Sequence, residues 1–165
     1  MFDPLFSWLE STSLNTWIVS SPSLFAFPGI LAAHTIGLAL VVGLAMALDL
    51  RLLGVAPNVP PTAFERFVPL MWFGLWLNVV TGVALLVAYP TKALTNPVFY
   101  LKLTLIAAGL QTLRTTLRRV RDGLAMSRPT TRLAALSLVI WIAAITSGRL
   151  LAYTCTRLTV EYPCE

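Results

Sequence analysis

The chain has 165 residues, of which 57% are hydrophobic and only 12% are Asp, Glu, Lys or Arg, and it carries a formal net charge of +5. Its mean hydropathy is strongly positive, which excludes an ordinary soluble domain and a disordered chain and points to a bilayer as solvent. At this length there is room for one membrane domain with short connections, so any chemistry belongs among the helices or at their ends.

In chain order, the first ten residues contain Asp3 and Glu10 and no base, unlike a secretory signal with its cationic start. Residues 4–20 are expected to form an amphipathic segment of the mature fold, broken near Ser11–Ser13 and lying on the outer membrane surface. Asp3 followed by Pro4 suits a helix start. Four apolar runs then follow at about 24–53, 67–89, 97–117 and 133–153. Each is long enough to cross roughly 30 Å of hydrocarbon, which takes about 20 helical residues. The expected fold is therefore all-α: an integral membrane bundle of four transmembrane helices with an N-terminal interfacial helix and an outward-facing tail at 154–165.

In the first run, Pro28 is expected to kink the helix near its start. Ala33 and Gly37, and Gly43 and Ala47, are pairs of small residues four apart that let another helix approach. Asp49 and Arg51 end the run, where snorkelling would carry their charges to the headgroups. His34 is the only histidine of the chain, set in a stretch from Phe25 to Ala47 that otherwise has no ionisable side chain. An imidazole in hydrocarbon needs a partner, which makes it the first candidate for a functional site. In the second run Asn78 and Thr81 share a face with Gly82 beside them, and Trp72 and Trp76 share another. Interhelical hydrogen bonding explains Asn78 better than ligand binding does.

The third run opens on Asn96-Pro97, a cap followed by a first-turn proline, and places Lys102 just below the outer headgroups. The fourth brings Arg149 near the same depth, with Tyr153 four residues further along its face. Arg114, Arg118, Arg119, Arg121, Arg128 and Arg132 crowd the connection between these runs. Such a cluster orients its loop to the cytoplasm and binds lipid headgroups, so nucleic acid is not the expected partner. Arg51 and Arg66 fall on the same side, and both termini face outward. His34, Lys102 and Arg149 then lie in the outer half of the bilayer on three helices, with Asn78 and Tyr153 as further candidates to line a pocket. Two cations around an imidazole suit b haem with its propionates, a quinone or an acidic lipid headgroup, and not a bare transition-metal ion. The only metal role open to His34 is as a haem-iron ligand. Cys155 and Cys164 follow the last run on the oxidising side, where a disulfide between them would fix the tail. There is no Cys-x-x-Cys-His, glycine-rich phosphate loop, zinc-protease motif or serine elbow.

Several segments together carry a resemblance: Ala33-His34-Thr35-Ile36-Gly37, Ala47 to Gly54, Asn78-Val79-Val80-Thr81-Gly82, Asn96 to Leu103, and Ser147 to Tyr153. From Leu24 to Tyr153 the chain resembles a family of small bacterial four-helix integral membrane proteins. More distantly it is similar to the membrane-type protoporphyrinogen oxidases and to CopD-like proteins. The resemblance implies the bacterial inner membrane and, by way of the oxidases, a link of His34 and Lys102 to haem b or porphyrin chemistry. Two functions stay open. One is a redox-associated protein binding b haem or quinone in an outer-leaflet pocket; the other is a non-catalytic accessory or anchor subunit of a larger membrane complex. A transporter ranks behind both, for want of carboxylates within the spans.

Overall fold

The structure, a computed structural model, describes residues 3–153, with side chains at 7–151. Two short helices, α1 (Asp3–Glu10) and α2 (Ser13–Ser20), precede α3 (Phe27–Leu52). A 3-10 segment (Pro61–Phe67) leads into α4 (Val68–Ala88), the short α5 (Pro90–Leu94), α6 (Pro97–Arg121) and α7 (Arg128–Tyr153). There is no strand among the described residues.

Each long helix begins on a proline at its first or second residue: Pro28, Pro69, Pro97 and Pro129. At that position the missing N–H costs no intrahelical bond and the fixed φ favours the helix. This corrects the expected kink at Pro28. The helix starts at Phe27, so no preceding turn exists for the ring to disrupt. The side chain of Asn96 caps α6, its Oδ1 accepting from the Val98 N–H at 2.9 Å. Gly54 (φ 103°) and Gly123 (φ 73°) follow the last turns of α3 and α6, where a left-handed residue ends a helix at no steric cost.

α3 packs against α4 and α7, and α6 packs against α7, in antiparallel pairs. The core lies where α3, α6 and α7 meet, around Val41, Ala45, Leu48, Leu52, Leu113, Ala134 and Trp141. The helices at Phe27–Leu52, Pro61–Ala88 and Arg128–Leu151 are long and apolar enough to cross a membrane, and only 17% of the apolar window of the second is buried by protein. Phe73, Trp76, Val80 and Val83 all point outward from α4. So much outward apolar surface has its natural solvent in lipid, and the chain is a membrane protein. α6 is not among those three helices, since Lys102 and Arg114 to Arg121 interrupt its apolar surface.

Two features tie the ends of the bundle. At one end Arg121 Nε donates to Glu65 Oε2 at 3.3 Å, bringing together the connections that carry Arg66 and the arginine cluster. At the other, the buried Asn15 side chain donates to the carbonyls of Val87 (2.9 Å) and Ala88 (3.0 Å). These acceptors at the end of α4 have no partner within the helix. The Thr91 hydroxyl adds a bond to Glu10 Oε1 at 2.8 Å. The break expected near Ser11–Ser13 falls between α1 and α2.

Asp49 and Arg51 do not snorkel. Asp49 is 1% exposed and sits inside the bundle beside Ser137 of α7, and its Oδ2 has no hydrogen-bond partner among the described residues. Ser137 in turn stands 3.3 Å from the Thr112 hydroxyl of α6. Arg51 is folded back on its own loop, donating from Nε to the Val59 carbonyl and from Nη2 to that of Pro57 at 2.8 Å. The helix rotation that buries Leu48 and Leu52 turns Asp49 inward with them, toward Ser137 of α7.

Candidate functional site

At the Asn15 end of the bundle, all four long helices and α5 surround a cavity of about 520 Å³. Its polar groups are His34, Lys92 and Lys102; Phe27, Tyr89 and Phe99 provide aromatic walls. Phe27 and Tyr89 meet edge to face, with ring centroids 5.8 Å apart. The volume falls in the range of pockets that take a cofactor-sized ligand.

His34 is held by α4. Its Nδ1 lies 3.0 Å from Thr81 Oγ1, and the Thr81 hydroxyl is 2.6 Å from the Leu77 carbonyl. A threonine has one proton to give. Given to Leu77, it leaves Oγ1 as an acceptor, so His34 Nδ1 carries the hydrogen and the lone pair of the neutral ring is on Nε2. Nδ1 makes the only ring hydrogen bond of His34 among the described residues. Gly82 faces the ring: a Cβ there would stand 3.4 Å from His34 Cε1, at ordinary contact distance. One turn away, Asn78 Nδ2 donates to the His34 carbonyl at 2.8 Å, and Gly37 meets Gly74 so closely that a Cβ on Gly37 would lie 2.8 Å from the Gly74 carbonyl oxygen. The close crossing of α3 and α4 is thus what aims the imidazole.

Lys102 enters from α6 and lies across Gly148 of α7, where an added Cβ would be 3.6 Å from Cε and 3.8 Å from Nζ. The cavity therefore holds an imidazole lone pair and lysine ammoniums, with no carboxylate among its lining residues. Such a set accepts a hydrogen bond from a hydroxyl, donates to carbonyl oxygens and attracts anionic groups.

Of the residues singled out from sequence, His34 and Lys102 line one cavity. Asn78 serves the α3–α4 crossing one turn away. Arg149 is exposed and lies outside the cavity lining, since Gly148 occupies the inward position and the next residue is rotated about 100° around the helix. The side chain of Tyr153, and Cys155 and Cys164 entirely, lie outside the described residues. Sequence reasoning passed over Lys92, Phe27, Tyr89 and Phe99 as lining groups. The aromatic residues at the ends of three adjoining helices were the available signal. No cluster of three or more His, Cys, Asp or Glu side chains able to hold a metal ion occurs among the described residues.

Compared with protein-family models, with curated proteins and with solved structures, the chain matches none.

Proposed function

We propose that the protein is a redox-associated component of the bacterial inner membrane that binds b haem or a quinone in the cavity around His34. In this reading α6 is a fourth span, the arginine-rich end faces the cytoplasm and the cavity opens in the outer leaflet, with α1 and α2 lying at the outer surface. Eight arginines on the inner side, at 51, 66, 114, 118, 119, 121, 128 and 132, support the orientation.

The observation that carries the reading is the seating of His34. Metal-bound and proton-accepting histidines characteristically have one ring nitrogen committed to a hydrogen bond, which fixes the tautomer and orients the other. Thr81 supplies that bond here. Lys102 and Lys92 share the cavity with the imidazole and suit propionate, quinone or quinol oxygens. Either group, when bound, supplies electron-transfer chemistry, and the chain's contribution is to seat it, orient it and shield it from water.

The test is a reduced-minus-oxidised visible spectrum of the detergent-purified chain from haem-replete cells, beside His34→Ala. A sharp haem band lost in the variant establishes the haem form. A flat spectrum removes haem and leaves quinone binding to be measured by titration. Orientation is checked with membrane-impermeant thiol reagents on whole cells: Cys155 and Cys164 should react from outside, and only after reduction.

A second reading, an accessory subunit of a larger complex, draws on Gly43 and Ala47. Both are exposed on one face of α3, and nothing stands within 4 Å of where a Cβ on Gly43 would be. Small residues four apart suit the close approach of a partner's helix. This reading expects copurification with larger membrane proteins that is lost in Gly43→Leu.

A further inference from the structure

Around the bundle, α4 packs on α3, α3 on α7 and α7 on α6, while the backbones of α4 and α6 stay apart and meet only through side chains such as Arg114 and Trp72. A four-helix square is thus closed on three sides and open on the fourth. Two cavities lie along that opening. The His34 cavity is at one end. A smaller apolar one of about 50 Å³ is at the other, between Met71 and Leu75 of α4 and Leu110 and Leu113 of α6. The guanidinium of Arg114 stands 5.7 Å from the Trp72 ring at its far end. Between them α3 carries His34, which lines the first, and Val41, which lines the second, with Leu38 between the two on the same helical face, spaced four and three residues apart. From Lys102 to Arg114 the wall formed by α6 runs for about 18 Å at 1.5 Å per residue.

We propose that this seam between α4 and α6 holds the hydrocarbon tail of a membrane-soluble ligand whose head group occupies the His34 cavity, and that the ligand is a long-tailed quinone. The inference rests on the reading of the cavity as a cofactor site and selects between its two candidates. A b haem has no tail and leaves the seam without a purpose. A phospholipid has tails, but its phosphodiester has no proton to give to the imidazole lone pair, so the phosphate engages the lysines and His34 is left to a hydroxyl or ammonium of the head group. A quinone uses both: in the quinol form a hydroxyl donates to Nε2, and in the quinone form a carbonyl accepts from the Lys102 ammonium. The gap between α4 and α6 also gives the ligand a lateral route from the lipid.

Two photoreactive benzoquinones test this on the full chain in lipid nanodiscs, one with an azide on the ring and one with a diazirine at the end of a decyl tail. Labelled peptides are located by mass spectrometry, with and without an excess of unlabelled decyl-quinone. The ring probe should label the peptides carrying Phe27 or Phe99. The tail probe should label those carrying Leu75, Leu110 or Leu113, and both signals should be displaced by the competitor. Leu110→Trp, which fills the seam, should abolish tail labelling at these residues and keep ring labelling. Displaceable ring labelling with the tail found on the outer face of α4, at Phe73, Trp76 or Val80, overturns the seam and spares the cavity. Displaceable labelling by neither probe removes both for quinone. Saturable labelling of the seam by a photoreactive phosphatidylglycerol that decyl-quinone does not displace assigns it to lipid and overturns the proposal.

Discussion

The crossing of α3 and α4 gives the sharpest test of how the site is built. In Gly37→Ala the new methyl would stand 2.8 Å from the Gly74 carbonyl oxygen, 3.0 Å from the Asn78 backbone nitrogen and 3.3 Å from Asn78 Nδ2. The first two are backbone atoms of a helix and cannot rotate away, so α3 and α4 must separate by about 0.5 Å to restore ordinary contact, which already forfeits a substantial part of the dispersion along the crossing. Overpacking of this kind costs about 1–3 kcal/mol, offset by about 0.5–1 kcal/mol from replacing a mid-helix glycine. The two ranges leave a net loss centred on about 1 kcal/mol. Gly43→Ala, two turns along the same helix, meets nothing within 4 Å and should be neutral or stabilising by up to about 1 kcal/mol. Reversible unfolding of the isolated chain in mixed micelles with increasing SDS, followed by circular dichroism, measures both. Equal stabilities for Gly37→Ala and the parent, or equal losses at the two positions, would refute the claim that a backbone-to-backbone approach at Gly37 aims His34.

Other substitutions probe separate links. Thr81→Val removes the acceptor for His34 Nδ1, so nitrogen-15 NMR of the single histidine should change from the Nδ1–H tautomer to a mixture, while Thr81→Ser keeps the parent spectrum; an unchanged tautomer in the valine variant would show that Thr81 does not set it. Asn15→Ala strips two hydrogen bonds from the end of α4 and should cost about 1–3 kcal/mol, with faster proteolysis between α1 and α3. Asn96→Ala removes the cap of α6 and should cost about 1 kcal/mol in the same SDS titration, largely recovered by Asn96→Asp.

Helix positions were legible because apolar length is written directly into the chain. The runs expected at 24–53, 67–89, 97–117 and 133–153 correspond to helices at Phe27–Leu52, Val68–Ala88, Pro97–Arg121 and Arg128–Tyr153. The ends differ because prolines and glycines, not hydropathy, decide where backbone hydrogen bonding starts and stops. Depth was legible as well: His34 and Lys102 were expected at one level and line one cavity. Azimuth was not, since one residue of displacement turns a side chain by about 100°, which puts Gly148 inside and Arg149 outside. Asp49 shows the same limit from the other direction. Its place near a helix end suggested a headgroup contact, but it is buried beside Ser137 of the last helix, and no local pattern links the two. The open side between α4 and α6 is a property of pairing among helices and leaves no mark on any one of them.

The burial of Asp49 bears on how the chain is assembled. Within the bundle its carboxyl lies beside Ser137 of α7, a residue synthesised long after α3 and α4 are complete, and Oδ2 has no hydrogen-bond partner among the described residues. Until α7 arrives, α3 carries an acidic group with no protein hydroxyl to meet it, which disfavours settling deeply into hydrocarbon. Because α7 packs on α3 and encloses that group, the first long helix should reach its final rotation only when the last one docks. A chain shortened before α7 should retain its helices yet remain a loose, protease-sensitive set, because the final segment packs on α3 and covers the face that carries Asp49.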